Sequence, residues 1–386
     1  MFKIKRIEPI LVSSPYGDGN NLGQPLGLKT LGFVKVTLDN NFVGYGESYV
    51  AIYTPELFKS TVEYIDSLIT DSLLFSLPNE VHQAFYIPFA SRAGLIQSVY
   101  AAIDTALWDA CCRYYGVPFS SFLPSCSLHK PLIYYSGGSA KMSPSELAME
   151  ALTIDSSLFS GYKIRIGYHN WSTDLERISL SNSSKNCEYL MVDAIMGTIR
   201  PPFTLSDWDS KVNHIDSFGI YWLEEPLSPD DFYLMSNLKR ISSIPLAMGE
   251  AVTGKHELLS YLNSPALDVL QLDFTHVGGP SLFLELYPEL LACDKIISMH
   301  VWGSPLAYNL NTYLGSLLPS CEWTEYPSVK LEINKHLSPS YYSMDLSNLP
   351  IADMIGFSPP SFHTFDFNSY PYVPGSSFKW TPKHSS

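Results

Sequence analysis

With 386 residues, 46% of them hydrophobic and 16% charged, the chain can bury one large core or two ordinary ones and carries no signature of disorder. A formal charge of −14, from 24 basic against 38 acidic side chains, excludes the basic surfaces that nucleic acid or an anionic membrane would need. No apolar run approaches the ~18 residues of a membrane helix.

The opening stretch, Met1 to Ile7, alternates like a strand and lacks the apolar core of a signal peptide. Six cysteines without a Cys-x-x-Cys pair read as buried thiols in a reducing compartment, so a soluble cytoplasmic protein is expected. Residues 2–12 and 31–39 alternate as strands, and Asp39-Asn40-Asn41 turns the second into Phe42–Glu47. Between them, residues 13–29 are rich in Gly, Pro and Asn, which predicts a loop suited to a lid. A helical face follows, with Ile96, Val99, Ile103 and Leu107 on one side, ending at Gly116-Val117-Pro118.

Beyond about residue 128, eight short apolar runs recur at regular intervals with helical segments between them. They begin at Leu132, Lys163, Tyr189, Tyr221, Leu246, Val269, Ile296 and Glu322. Strand–helix alternation on this scale predicts parallel strands closing into a barrel; an open doubly wound sheet would need a Gly-rich phosphate turn that is absent here. Phe357 to Ser386 is rich in Pro, Ser and aromatics and is expected to pack on the rest of the chain.

The chemistry stands where the runs end: Asp193, Glu224, Glu250, Asp273, His300 and Glu325, with Lys163 and Arg165 on the second run. Alone, an Asp after a strand is usually a helix cap. Six consecutive strands ending in an acid or His point instead to the one mouth where a barrel's active site lies. Carboxylates facing one point need a cation to stay ionised, and hard oxygens select Mg²⁺, with Mn²⁺ as substitute. Asp193, Glu224 and Glu250, on adjacent strands, are the candidate ligands.

The motifs, taken in order, resemble the enolase superfamily and its mandelate racemase branch. They are Val43–Glu47, Ala106–Asp109, Tyr162–Gly167, Val192-Asp193-Ala194, Trp222–Leu227, Met248-Gly249-Glu250, Asp268–Asp273 with Gly278-Gly279, and Met299–Gly303. The resemblance implies a modified (β/α)₇β barrel under an N-terminal α+β capping domain: residues 1–125 the cap, 126–355 the barrel, 356–386 a segment returning to the cap. It implies Asp193, Glu224 and Glu250 as Mg²⁺ ligands, Glu225 beside them, and Asp273 orienting His300 as base. It further implies Glu325 as the acid on the substrate carboxylate, with Trp302 near the substrate. The chemistry is abstraction of a proton α to a carboxylate, and a dimer or higher homo-oligomer is implied.

Four departures matter. The family's Lys-x-Lys becomes Lys163-x-Arg165, and a guanidinium is a poor proton shuttle but a good carboxylate clamp. Ile195 stands where a polar residue is common, and Arg200-Pro201-Pro202 falls in a long insertion. His276 follows the sixth strand, where a substrate contact and a loop role are equally open, and no lysine there supports the muconate-cycloisomerase branch. One-sided chemistry on His300 favours dehydration of an aldonate or aldarate to a 2-keto acid. The alternatives are a racemase or epimerase using Lys163 and His300 on opposite faces, a barrel that binds without turnover, and a Schiff-base aldolase on Lys163.

Overall fold

A computed structural model describes residues 1–16, 25–199, 201–346 and 354–378. Residues 17–24 of the predicted loop, Arg200, and the end of the tail from 379 lie outside the described residues.

The N-terminal part is an antiparallel sheet of β1 (Ile4–Pro15), β2 (Leu28–Leu38) and β3 (Val43–Glu47). Both long strands run further than their alternation suggested. Pro15 pairs with Leu28 and Ser14 with Lys29, so both ends of the expected 13–29 loop are ladder. Helices α1 (Pro55–Ile69) and α3 (Leu95–Tyr115) cover this sheet, and α2 (Pro78–Ala84) packs on α3. On α3 the predicted Val99, Ile103 and Leu107 are buried and Ile96 is partly covered. Gly116 ends the helix in the left-handed conformation at φ 67°, donating to Cys112 O. The close seat of α3 on β3 explains Gly44 and Gly46: a Cβ there would lie 2.0 and 1.9 Å from the Ala106 and Ala102 carbonyls.

The eight apolar runs are eight strands. In chain order the rest comprises β4 (Leu132–Ser136), α4 (Pro144–Thr153), β5 (Gly161–Arg165), α5 (Trp171–Ser184), β6 (Tyr189–Asp193), α6 (Leu205–Asp216), β7 (Leu223–Glu224) and α7 (Phe232–Ile241). Then come β8 (Leu246–Met248), α8 (Gly254–Leu262), β9 (Val269–Leu272), α9 (Gly279–Glu285), α10 (Tyr287–Leu291), β10 (Ile296–Met299), α11 (Pro305–Ser316) and β11 (Cys321–Pro327). All neighbouring pairs are parallel, and β11 closes onto β4. Every connection from β4 to β11 is helical, which is the (β/α)₇β pattern.

Period-two alternation sorts these strands. Ile164, Leu190, Val192, Leu223, Leu270, Leu272, Ile297 and Met299 face outward into the core shared with the helices. Tyr134, Met191, Trp222, Val269 and Trp323 fill the barrel interior as a separate apolar plug. Two residues further along, each strand turns a polar side chain inward above that plug. The register levels them: Arg165 pairs with Asp193 and Asp193 with Glu224.

The tail returns to the N-terminal sheet, where Pro371 bridges Val12 and Ser376 Oγ meets Ser13 and Thr30 hydroxyls. All six cysteines are free thiols. Among the described residues no helix is long and apolar enough to cross a membrane.

Candidate active site

A cavity opens at the carboxyl ends of the barrel strands, lined by Arg165, Asp193, Ile195, Glu250, His300 and Trp302 from the barrel. Tyr49 and Tyr53 from the N-terminal part and Phe378 from the tail also line it. Of the residues expected from sequence, five therefore face this space directly.

His300, one residue past β10, is 4% exposed. Its Nδ1 lies 3.0 Å from Asp273 Oδ2, while Asp273 Oδ1 accepts from Thr275 N, Thr275 Oγ1 and Asn311 Nδ2 at 2.7–2.9 Å. With its other oxygen so committed, Asp273 fixes the imidazole's orientation and its Nδ1–H tautomer. His300 Nε2 points to Glu250 Oε2 at 3.2 Å and Glu325 Oε2 at 3.7 Å. Burial pulls the His300 pKa down, but the charges of Glu250, Glu325 and Asp273 outweigh it and lift it to about 9. Burial opposes ionisation of Asp273, yet His300, Thr275 and Asn311 hold its carboxyl below the usual range.

Lys163 sits one inward-facing position before Arg165, about 6.6 Å deeper along the strand. It is buried, its Nζ 2.8 Å from Glu224 Oε1 and 3.0 Å from Glu325 Oε1, and it does not line the cavity. These carboxylates raise its pKa well above the ordinary lysine value despite burial. Glu325 also accepts from Val301 N at 3.1 Å. Burial would raise it, but Lys163, His300 and Arg165 bring it to about 2. Glu325 thus stands between Lys163 and His300 Nε2 and does not line the cavity itself. Arg165 is committed too: it donates to Gly137 O at 2.6 Å and Ser136 Oγ at 3.0 Å, with Nε 3.6 Å from Asp193 Oδ2.

His276 lies beside a neighbouring cavity at the seam of the N-terminal part and barrel, its Nδ1 2.7 Å from Ser98 Oγ. Burial lowers its pKa to about 4. Glu225 accepts from Gly197 N at 3.1 Å. Ile195 and Glu225, at φ 47° and 39°, hold left-handed backbone two residues past β6 and one past β7, strain of the kind that concentrates at functional sites.

The expected metal ligands, with Glu225, feel one another's charge. Burial raises Asp193 and Glu225 well above the carboxylate range, and the charges of Glu224 and Glu250 push both further. Glu250 is raised by burial and Glu224 against the pull of His300. Hard oxygen donors that hold one another's protons on are a fit for a small divalent cation. Each is turned to a protein donor here: Glu224 to Lys163 and Trp222 Nε1, Asp193 to Ile195 N and Arg165, Glu250 to His300. Among the described residues no three such side chains are gathered as a ready metal cage.

The sequence pointed to the region near Tyr53, the 13–29 stretch and the tail without assigning a role to Tyr49, Tyr53, Phe378, Lys29 or Glu47; the last two reach the barrel mouth from the N-terminal sheet. Lys29 donates to Trp302 O at 2.6 Å, and Glu47 accepts from Ser304 N at 3.0 Å. Burial brings Lys29 down to about 7 and Glu47 up to about 7. Glu47 stood within a quoted motif; the others lie where no periodicity marks them.

A profile described as enolase C-terminal domain-like matches residues 146–356. The chain belongs to this family. It is 24% identical over 272 residues to L-talarate/galactarate dehydratase of Salmonella typhimurium, covering 67% of this chain and 64% of that protein. It is 30% identical over 219 residues to D-galactarolactone cycloisomerase of Agrobacterium fabrum, covering 55% and 56%. The chain thus spans less than two thirds of each of these two relatives. A racemase from Streptomyces coelicolor, solved with bound magnesium, shares the fold at a TM-score of 0.72 and 19% identity, over 83% of this chain and 88% of that one. The enolase-superfamily barrel under an N-terminal α+β layer, expected from the motifs, is therefore the fold of this chain.

Proposed function

We propose that the protein is a Mg²⁺-dependent enzyme that removes the proton α to a carboxylate, and that its reaction is dehydration of an acid sugar to a 2-keto-3-deoxy acid. The observation that carries this reading is the His300–Asp273 dyad, oriented at 3.0 Å, with Nε2 3.2 Å from Glu250, which lines the same cavity. The acidic ligand candidates and the dehydratase and cycloisomerase names among the relatives support it. Asp193, Glu224 and Glu250 would hold the ion. Bound there, it supplies positive charge where the substrate carboxylate gains electron density, the largest stabilisation available to so weak a carbon acid.

The chain's own groups do the rest. His300 Nε2 takes the α-proton, and the C–H electron pair becomes the double bond of an enediolate. The same imidazolium then gives that proton to the departing β-hydroxyl, which leaves as water, and the enol tautomerises to the keto acid. Asp273 keeps Nδ1 protonated throughout, so Nε2 alone exchanges the proton. Arg165 presents fixed positive charge on the cavity wall, and Tyr49, Tyr53 and Phe378 cover the reacting face. Burial of Lys163 between Glu224 and Glu325 supports one-sided chemistry over a second base.

A panel of aldonates and aldarates incubated with Mg²⁺ in deuterated water tests this. The wild type is expected to form a 2-keto acid and His300→Asn none. Substrate recovered with a scrambled α-carbon and no keto acid would replace dehydration by racemisation.

A further inference from the structure

The segment that follows the candidate base, residues 301–304, is gripped from three sides. Val301 N donates to Glu325 within the barrel. The other two grips come from the N-terminal sheet. Lys29 donates to the Trp302 carbonyl at 2.6 Å, and its Nζ lies 3.8 Å from the centre of the Trp302 ring. Glu47 accepts from Ser304 N at 3.0 Å and from Ser304 Oγ at 2.5 Å. Gly303 passes so close that a Cβ there would stand 2.6 Å from Glu47 Oε1. The indole held in this way is a wall of the active cavity, and Arg165 Cζ lies 5.4 Å from its centre.

Lys29 is 1% exposed, and a buried ammonium is unfavourable unless its partners compensate. Its direct contacts here are the carbonyl and the ring face of Trp302, and the charges of Glu47 and Glu325 also favour the ammonium. A cation within about 6 Å of an indole centre is drawn to the ring face, and most strongly where both are desolvated. Lys29 does not reach the cavity, so what it can change is the orientation of Trp302.

We propose that Lys29 is a positioning residue, set in the N-terminal sheet to lock the Trp302 indole as the substrate-facing wall of the barrel mouth. Through it the N-terminal part shapes the active cavity without touching the substrate. The role in turnover rests on the function proposed above; the locking of the indole does not.

The test uses Lys29→Met and Lys29→Gln, each alone and combined with Trp302→Phe. Subtracting the matching Trp302→Phe protein isolates the fluorescence of Trp302. Lys29→Met is expected to raise its quenching by acrylamide, and Lys29→Gln, which keeps a donor without charge, to fall between Lys29→Met and the wild type. With a turned-over acid sugar, Lys29→Met should raise KM about tenfold and leave kcat within about threefold. In the Trp302→Phe background the same change should move KM by less than about twofold, since the effect passes through the indole.

Unaltered Trp302 quenching in Lys29→Met, or full additivity with Trp302→Phe, overturns the proposal. Should Lys29→Met not fold, Lys29→Gln carries the same comparison. The quenching measurement needs no turnover, so its failure counts against Lys29 alone, whereas absence of keto acid from the wild type counts against the proposed reaction.

Discussion

Replacing Asp273 by Asn should abolish most activity while leaving the fold in place, for a reason that can be read from four hydrogen bonds. Asp273 Oδ1 faces three donors, Thr275 N, Thr275 Oγ1 and Asn311 Nδ2. An amide must therefore turn its carbonyl oxygen to that side, because its NH₂ cannot accept. The NH₂ is then left facing His300 Nδ1, 3.0 Å from the replaced oxygen. It can only donate, so Nδ1 loses its proton and Nε2 gains one, which blocks the atom meant to act as base. A wrong tautomer of this kind costs on the order of 10⁴ in kcat, about 5.5 kcal/mol. The stability cost is smaller, roughly 1–3 kcal/mol, since the three donors keep their acceptor and only the charge is lost. Keto-acid formation with Mg²⁺ measures the first quantity and urea denaturation the second. Nitrogen-15 shifts of His300 report the tautomer directly. A folded Asp273→Asn protein within about threefold of wild-type kcat would refute this reasoning.

Two further perturbations test the buried charges. Asp104, on α3, accepts from Ser281 N and Oγ at 2.7 and 2.6 Å and so ties the N-terminal part to α9, while burial raises its pKa to about 7. The folded state therefore holds its proton more tightly than the unfolded chain does. Its contribution to stability is fully present below about pH 4 and is lost as pH rises toward 7. The Tm difference between wild type and Asp104→Asn should shift in favour of Asn over that window; a difference independent of pH contradicts the shift. Lys163→Met strands Glu224 and Glu325 without their shared cation and should destabilise by about 3–5 kcal/mol in urea denaturation. Adding Glu325→Gln should recover part of that loss, and a Lys163→Met protein as stable as wild type would show that the ion pair is not what holds these carboxylates.

The barrel was legible because its strands are short and covered on both faces: Tyr189–Asp193 is the same span in sequence and structure. The level at which Asp193, Glu224, Asp273 and His300 emerge follows from strand ends brought into register, so these side chains could be placed at one mouth from spacing, whereas the pairing of Asp273 with His300 came from the family resemblance. Two things were harder. The spacing of Lys163 and Arg165 turns both inward, but their depths differ by one layer, and that layer puts Lys163 under the cavity and Arg165 in its wall. The 13–29 stretch read as a loop because its composition is Gly- and Pro-rich; Pro15 and Lys29 are strand residues because each finds an antiparallel partner across the ladder. Tyr49, Tyr53, Lys29 and Phe378 come to the barrel mouth through packing between distant segments, and no local period encodes that.

The account turns on a divalent cation shared by Asp193, Glu224 and Glu250. Titration calorimetry of Mg²⁺ into the wild type and into Asp193→Asn and Glu250→Gln tests it without any substrate. One ion should bind per chain, displacing protons from these carboxylates and from His300, and each substitution should weaken it by at least about tenfold. Binding of equal strength in all three proteins, or no binding in the wild type, would contradict it.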